Sequence, residues 1–125
     1  MPIELSGPDI TQAEIDAVAG VLRSGRMSLG PMVPKFEEAV ANYIGVKHAI
    51  AVCSGTCGLH LLIRALGIGP GDEVITTPFS FIASSNCILF ENATPVFVDI
   101  DPETWNIDAT KIESAITSKT KALIP

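Results

Sequence analysis

The residues best suited to chemistry lie in a short turn between an apolar run and a helix. Ser54, Gly55 and Thr56 form this turn, within the stretch CSGTCGLHLLI. The first N–H groups of a helix have no partner inside the helix, and the helix dipole favours negative charge there. Glycine allows close approach to the backbone, and the hydroxyls can donate to phosphate oxygens. The turn therefore predicts an anion site, although taken alone such a turn is more often an ordinary helix cap.

A second loop, between a predicted strand and a predicted helix, carries two aromatic side chains. Phe79 and Phe81 lie within TTPFSFIASSN. Loops of this kind open at the carboxyl edge of a parallel sheet, where ligands bind. A flat ring beside an anion site suits a planar phosphorylated cofactor, and core packing is the alternative for each phenylalanine. No Gly-Lys-Ser/Thr follows Thr56, so the turn is not a Walker A loop.

The elements that must position these loops begin with two predicted helices. Thr11 and Glu14 form a capping box ahead of apolar residues at helical spacing, which predicts a helix at about 12 to 24. Apolar residues then repeat every three or four positions from Val33 until Gly45, which predicts a second helix.

Strands and helices alternate through the rest of the chain. In order, the patterns predict a strand in HAIAVC, a helix from Gly58 to Leu66, a strand at 73–77, a helix in FIASSNCILFEN, a strand in TPVFVDI, a helix capped by Asp108 and a strand in KALIP. This alternation predicts an α/β fold in three layers, with a mostly parallel sheet and flanking helices.

Composition narrows the classes of partner. The 125 residues carry a formal net charge of −6, and lysine and arginine do not cluster. Nucleic acid and anionic membranes are therefore not expected as partners. The sequence shows neither a signal-like segment nor about 18 consecutive apolar residues, so we expect a cytoplasmic, soluble protein.

The cysteines do not predict a metal site or a disulfide framework. Cys53, Cys57 and Cys87 are odd in number and lack metal-ligand spacing. We expect reduced thiols that are buried as small hydrophobic side chains.

The chain is expected to be the front part of a larger domain. Its last predicted strand starts just before residue 125, and a parallel strand needs neighbours and a covering crossover. The two leading helices also have no evident second layer to cover. We therefore expect the chain to self-associate or to expose an apolar face.

A set of motifs across essentially the whole chain resembles the DegT/DnrJ/EryC1/StrS aminotransferases, nucleotide-sugar aminotransferases of fold type I that use pyridoxal 5′-phosphate (PLP). The motifs are S-x-G-P before FEE, SGT-x-x-LH, GIGPGDEVIT, P-x-S-F-x-A-S and TPVFVDID. The resemblance implies that residues 1–125 are the N-terminal part of the large, PLP-binding domain. The rest of that domain and the C-terminal small domain would be absent.

The resemblance also implies roles for single residues. Gly55 and Thr56 match the pair that holds the PLP phosphate in the family, and Ser54 is a supporting position. Phe81 matches the aromatic residue that stacks on the pyridine ring. His60, on the helix after the turn, is expected to be a packed, hydrogen-bonded histidine rather than an acid or base.

The resemblance implies substrate-binding residues in this chain but no catalytic residues. Ser28, Leu29 and Gly30 match a loop that lines the mouth of the active site and are the predicted substrate-binding residues. The family's Schiff-base lysine, the aspartate that pairs with the pyridine nitrogen and the adjacent glutamine lie beyond residue 125. Lys119 and Lys121 are expected to be solvated surface residues. No catalytic residue is assigned in this chain.

The implied reaction transfers an amino group from an amino acid, usually glutamate in the family, to a keto nucleotide sugar. The resemblance also implies a role in polysaccharide biosynthesis and a homodimer with active sites at the subunit boundary. With its PLP site incomplete, the chain alone should be inactive. Two alternatives stay open: a PLP- or PMP-dependent sugar dehydratase on the same scaffold, and a non-catalytic module for protein association.

Overall fold

A computed structural model describes residues 6–125, so the first half of the stretch MPIELSGPDI, in which no signal-like segment was found, lies outside the described residues. The chain divides into two compact units, Met1–Ala51 and Val52–Pro125. The first unit contains helices only among its described residues, and the second contains the sheet.

The first unit contains the helices α1, Gln12–Ser24, and α2, Met32–Ile44. The predicted capping box at the start of α1 is present: the Thr11 hydroxyl accepts from the backbone N–H of Ala13, and the Glu14 carboxylate accepts from the backbone N–H of Thr11 at 2.6 Å. Each helix ends at a glycine with a left-handed backbone, Gly25 after α1 and Gly45 after α2. Both helix predictions are confirmed.

The second unit alternates helices and strands. In chain order these are α3 Gly55–Ala65, β1 Glu73–Thr76, α4 Ala83–Leu89, β2 Thr94–Phe97, α5 Ala109–Ala115 and β3 Thr120–Ile124. The strands form one sheet in the order β2-β1-β3, and both pairings are parallel. The predicted α/β architecture with a parallel sheet is confirmed.

The core of the second unit lies between the central strand and the helices α3 and α4. Val74 and Ile75 of β1 are buried, as expected for a strand with neighbours on both sides. The apolar cluster beside it consists of Ile63, Ile68, Val74, Cys87, Ile88 and Ala93. Burying one aliphatic side chain of this size contributes about 1.5–3 kcal/mol, so this cluster holds α3 and α4 in place.

One predicted strand is wrong: HAIAVC, residues 48–53, forms no strand in the described part of the chain. A strand exists through hydrogen bonds to a neighbour, and β1 already has β2 and β3 on its two edges. The backbone N–H of Ala51 donates instead to the Glu37 carboxylate at 2.8 Å. An apolar run that contains β-branched residues favours extended backbone, but it does not determine which strand it pairs with.

Other boundaries differ from the sequence predictions. Helix α3 begins at Gly55 rather than Gly58, because Ser54 serves as its N-cap. The strand predicted in TPVFVDI pairs only over Thr94–Phe97, and Ile100 beyond it makes an isolated antiparallel bridge to Ile107.

The described residues contain neither a membrane-spanning helix nor a cluster of metal ligands. None of the helices described is long and apolar enough to cross a membrane. Across residues 6–125, no group of three or more His, Cys, Asp or Glu side chains could hold a metal ion.

Candidate functional site

The turn at residues 54–56 is a capped helix start. Ser54 has extended backbone, with φ −163° and ψ 161°, and its hydroxyl accepts from the backbone N–H of Cys57 at 3.2 Å. The Ser54 carbonyl accepts from the N–H of Gly58 at 3.0 Å. Gly55 and Thr56 are the first two residues of α3. The prediction that they lie at a helix N-terminus is confirmed, although no strand precedes them.

Capping by Ser54 leaves donors free for a ligand. In the described part of the chain, the backbone N–H groups of Gly55 and Thr56 have no hydrogen-bond partner. A Cβ atom added at Gly55 would meet nothing within 4 Å, so the space beside this backbone is open. Two N–H groups at the start of an 11-residue helix, together with a hydroxyl, are donors that fit a phosphate.

Gly55 and Thr56 share a pocket with Phe81. The pocket has a volume of about 610 Å³, and its remaining lining residues are Gly58, Leu59, Leu62, Ala83 and Ser84. Phe81 is 76% exposed, so its ring is not part of the core. The lining residues carry no charged side chain. An anion in this pocket would therefore be held by N–H groups, hydroxyls and the helix dipole.

Phe79 lies elsewhere, although it is only two positions from Phe81. Its ring centroid is 5.4 Å from that of Trp105, and it borders a separate, smaller pocket with Pro78 and Ser80. Of the two aromatic residues, Phe81 is thus the one that faces the same pocket as Thr56. Its stacking role stays a prediction.

The predicted substrate loop has a constrained backbone in the first unit. Leu29 has a left-handed backbone, φ 52°, and a fully exposed side chain. A Cβ atom at Gly30 would lie 2.6 Å from the Arg26 carbonyl oxygen, so this position requires glycine. The structure therefore brings Gly55, Thr56 and Phe81 together, whereas Ser28, Leu29 and Gly30 belong to the other unit.

His60 is a packed histidine, as expected. Its Nε2 lies 2.6 Å from Oε1 of Glu91, and its ring meets the edge of Phe90 at a centroid distance of 5.2 Å. The same carboxylate oxygen also accepts from Arg64 at 3.3 Å. These contacts connect α3 to the end of α4 and leave His60 a structural role.

The prediction that the cysteines are buried is wrong for two of them. Cys53 is exposed and Cys57 is half-buried, because they lie at the turn, whereas Cys87 is buried on the inner face of α4. The Cys53 thiol donates to the Cys57 sulfur across 3.3 Å. Hydrogen bonds from the Ser54 and Cys53 side chains lower the pKa of the Cys57 thiol, and burial raises the pKa of the Cys87 thiol.

Sequence reasoning missed further residues of the pocket. Leu59 and Leu62 line it from α3, and Ser84 lines it from α4. The helical spacing of 55, 59 and 62 places these positions on the same face as the turn, and this signal could have identified them.

Comparison with known proteins gives the same family as the sequence motifs, along almost the whole chain. The model of the DegT/DnrJ/EryC1/StrS aminotransferase family matches residues 8–125. The chain is 51% identical over 118 residues to the spore coat polysaccharide biosynthesis protein SpsC of Bacillus subtilis, which covers 94% of this chain and 30% of SpsC.

Solved structures share the fold. Spr1654 from Streptococcus pneumoniae, assigned as a sugar aminotransferase, superposes in its PLP form with a TM-score of 0.93 at 42% identity, over 98% of this chain and 31% of that chain. Its PMP form gives a TM-score of 0.94. An aminotransferase from Psychrobacter cryohalolentis gives 0.90 at 42% identity, over 94% of this chain and 30% of that one.

These comparisons identify the fold and show how much of each relative the chain matches. The chain spans about 30% of the length of the relatives it matches. Spr1654 was solved in PLP and PMP forms, which agrees with PLP as the cofactor of the family, and the fold is that of the fold type I aminotransferases. Because the family model matches from residue 8 to residue 125, the chain belongs to the DegT/DnrJ/EryC1/StrS aminotransferase family.

Proposed function

We propose that this chain supplies the phosphate- and ring-binding part of the cofactor site of a PLP-dependent aminotransferase that acts on a keto nucleotide sugar. One observation carries the proposal: Gly55 and Thr56, at the start of α3, line the same pocket as the exposed ring of Phe81. A phosphate site beside an aromatic face suits a phosphorylated pyridine.

The residues at the pocket divide the binding between them. The N–H groups of Gly55 and Thr56 and the Thr56 hydroxyl would hold the phosphate. Ser54 fixes the first turn of α3 through its bond to the Cys57 N–H and so keeps these donors oriented. Phe81 would stack on the pyridine ring. When bound, PLP withdraws electrons from the reacting carbon of the substrate, and the chain's own residues only bind and orient it.

The substrates are proposed from the relatives and from the family pattern. SpsC is named for polysaccharide biosynthesis and Spr1654 is assigned as a sugar aminotransferase, which supports a sugar acceptor. The amino donor is an amino acid, glutamate by the family pattern. We assign Ser28, Leu29 and Gly30 to the substrate-binding loop.

The proposal includes the place of the chain in a larger enzyme. Residues 1–125 correspond to the N-terminal part of the large domain, which agrees with a match over about 30% of the relatives. No lysine lines the pocket of Thr56 and Phe81. The chain alone is therefore inactive, and the complete enzyme is a cytoplasmic homodimer.

A comparison of two ligands tests the proposal. The purified chain is titrated with PLP and, separately, with pyridoxal, which has the same ring without the phosphate; binding is followed by equilibrium dialysis. PLP should bind more tightly than pyridoxal, and inorganic phosphate should compete with it. Equal binding of the two ligands, or no competition by phosphate, would contradict the phosphate assignment at Gly55 and Thr56.

A further inference from the structure

Two thiols flank the turn that starts α3. Cys53 precedes the N-cap Ser54, and Cys57 is the third residue of the helix. Their sulfur atoms are 3.3 Å apart, Cys53 is exposed and Cys57 is half-buried. The pair therefore combines close approach with access to small solutes.

The environment of Cys57 favours its reactive form. It lies in the first turn of an 11-residue helix, where the dipole favours a thiolate. The Ser54 hydroxyl and then the Cys53 thiol stabilise that thiolate and lower the pKa of Cys57. Cys57 is therefore the better nucleophile of the pair, and Cys53 is positioned to react with its oxidised form.

We propose that Cys53 and Cys57 form a redox-responsive pair, which a peroxide converts into an intramolecular disulfide across the Ser54–Thr56 turn. The Cys57 thiol releases its proton, and the thiolate attacks one peroxide oxygen. The O–O bond breaks and hydroxide leaves, which takes up that proton to become water and gives a sulfenic acid on Cys57. The Cys53 sulfur then attacks the Cys57 sulfur, the S–O bond breaks and a second water leaves. In total, two thiols lose two hydrogen atoms and one peroxide is reduced to two waters.

The disulfide changes the geometry of the turn. A disulfide bond is about 2.05 Å long, so the two sulfur atoms must approach from 3.3 Å. The closed ring encloses Ser54, Gly55 and Thr56, together with the cap bond from the Cys57 N–H to the Ser54 hydroxyl. Oxidation therefore moves the donors of the turn. The consequence that PLP binding weakens rests on the proposed function; formation of the disulfide does not.

Cys87 provides the matched control. It is buried in α4, its thiol donates to the Ser84 carbonyl at 3.3 Å, and burial raises the pKa of the thiol. A buried thiol with a raised pKa reacts slowly. Cys87 should therefore stay reduced under conditions that oxidise the pair.

The experiment treats the reduced protein with a small excess of hydrogen peroxide and measures intact mass, free thiols and tryptic peptides. We expect the loss of two thiols and of the mass of two hydrogen atoms, both located in the single tryptic peptide 48–64 that contains Cys53 and Cys57, and full reversal by dithiothreitol. Cys87→Ser should behave as the unmodified protein does. Cys53→Ser should instead stop at a sulfenic acid on Cys57 that dimedone traps.

Other outcomes would overturn the proposal. These are no loss of thiols, disulfides between chains on a non-reducing gel, or sulfinic acid on Cys57 without an internal disulfide in peptide 48–64. PLP binding is then compared between the reduced and oxidised forms. If the disulfide forms and PLP binds neither form, the proposed function fails and the redox pair stands; if PLP binds the reduced form and no disulfide is made, the reverse holds.

Discussion

At the scale of single residues, the turn at Ser54–Thr56 caps α3 and still leaves room for the anion site that we propose. Ser54 is an ordinary N-cap, and its bond to the Cys57 N–H uses one of the unpaired donors of α3. The N–H groups of Gly55 and Thr56 stay free, beside open space. A capped helix start is therefore compatible with the proposed anion site, because the cap satisfies a different donor from the Gly55 and Thr56 N–H groups.

The first prediction concerns the Thr56 hydroxyl. Thr56→Ala removes one donor to the phosphate, and a hydrogen bond to a charged group contributes about 1.5–3 kcal/mol. PLP affinity should fall roughly ten- to a hundredfold, measured by dialysis. Thr56→Ser keeps the hydroxyl and should retain most of the affinity. If both variants bind alike, the hydroxyl does not contact the phosphate.

The second prediction separates the two aromatic residues. Phe81→Ala removes the proposed stacking face, and a stacked pair contributes about 0.5–1.5 kcal/mol beyond its buried area. PLP affinity should fall roughly two- to tenfold. Phe79→Ala is the matched control, because Phe79 packs against Trp105 and should not change the affinity. A larger loss for Phe79→Ala would show that the assignment of Phe81 is wrong.

The position of Gly55 and Thr56 at a helix start was predicted better than the exposure of the thiols. Gly55 and Thr56 carry a local signal, since a cap residue and a helix start are neighbours in the chain. The choice of Phe81 over Phe79 came from the family pattern and not from the residues alone. Cys53 and Cys57 were expected to be buried because cysteine usually is, and exposure at a turn depends on how the surrounding elements pack.

At the scale of elements, the short helix α4 packs against the sheet through only one of its faces. Ile88 is fully buried in the cluster with Val74 and Ile63, whereas its neighbour Leu89 is 52% exposed. This contrast within one helix turn fixes which face of α4 meets the core. The same packing places Ala83 and Ser84 at the pocket.

The third prediction follows from this packing. Ile88→Ala should lower the free energy of unfolding by about 2–5 kcal/mol, through lost burial and the cavity it leaves. If the alanine variant does not fold, Ile88→Val replaces it in the test. We expect Ile88→Val to lower the free energy of unfolding by about 0.5–1.5 kcal/mol. Leu89→Ala is the control and should change stability by less than about 0.5 kcal/mol. Urea unfolding measures all three, and equal effects of Ile88→Ala and Leu89→Ala would contradict the packing.

The fourth prediction concerns the acid end of the stability profile. Asp108 caps α5, and hydrogen bonds from the Thr110 side chain, followed by that of Lys111, lower the pKa of its carboxyl group. A carboxyl group whose pKa is lower in the folded state than in the unfolded state stabilises the folded state. This stabilisation is complete at pH values above the unfolded pKa, which is about 3.9. That stability is lost as the pH falls through the folded pKa. Asp108→Asn can still cap the helix but does not titrate.

The measurement compares the two proteins at several pH values. Thermal unfolding from about pH 5 down to pH 2 should show a smaller loss of stability for Asp108→Asn than for the unmodified protein. Parallel profiles would show that the Asp108 carboxylate makes no contribution of this kind.

Elements whose stabilising contacts lie between residues close in the sequence were predicted better than elements that depend on distant residues. The caps of α1 and α5 are contacts within four residues, and the sequence showed both. The strand in HAIAVC was wrong because pairing depends on a distant partner, which a local pattern does not contain. The order β2-β1-β3 likewise follows from packing, and the alternation of elements gave only its parallel sense.

At the scale of the whole molecule, large apolar side chains are exposed in both units. Examples are Phe36 and Tyr43 in the first unit and Phe81 and Phe97 in the second, all more than half exposed. The expected exposure of apolar surface is confirmed for these residues. Exposed apolar surface of this kind marks sites where another protein surface can pack.

The fifth prediction is that the isolated chain self-associates. Apolar surface on this scale favours association, because contact removes it from water. Sedimentation velocity over a range of protein concentrations should show an average mass above that of the 13.2 kDa chain, increasing with concentration. A single species of that mass at every concentration would contradict this expectation.

The sixth prediction is that no lysine of this chain reacts selectively with PLP. No lysine lines the pocket, and the Lys111 ammonium group is paired with the Asp108 carboxylate at 3.0 Å. Borohydride reduction of the PLP-treated chain, followed by peptide mapping, should show scattered, substoichiometric labelling. Stoichiometric labelling of one lysine, with turnover of glutamate, would show that this chain is a complete catalyst.

The central claim is that the start of α3 binds the cofactor phosphate, and amide NMR tests it directly. A ¹⁵N-labelled sample is titrated with PLP and separately with inorganic phosphate. Both ligands should shift the amide signals of Gly55 and Thr56 most strongly, and PLP alone should shift signals near Phe81. If the largest shifts occur at other amides, or if phosphate leaves Gly55 and Thr56 unchanged while PLP binds, the claim is wrong.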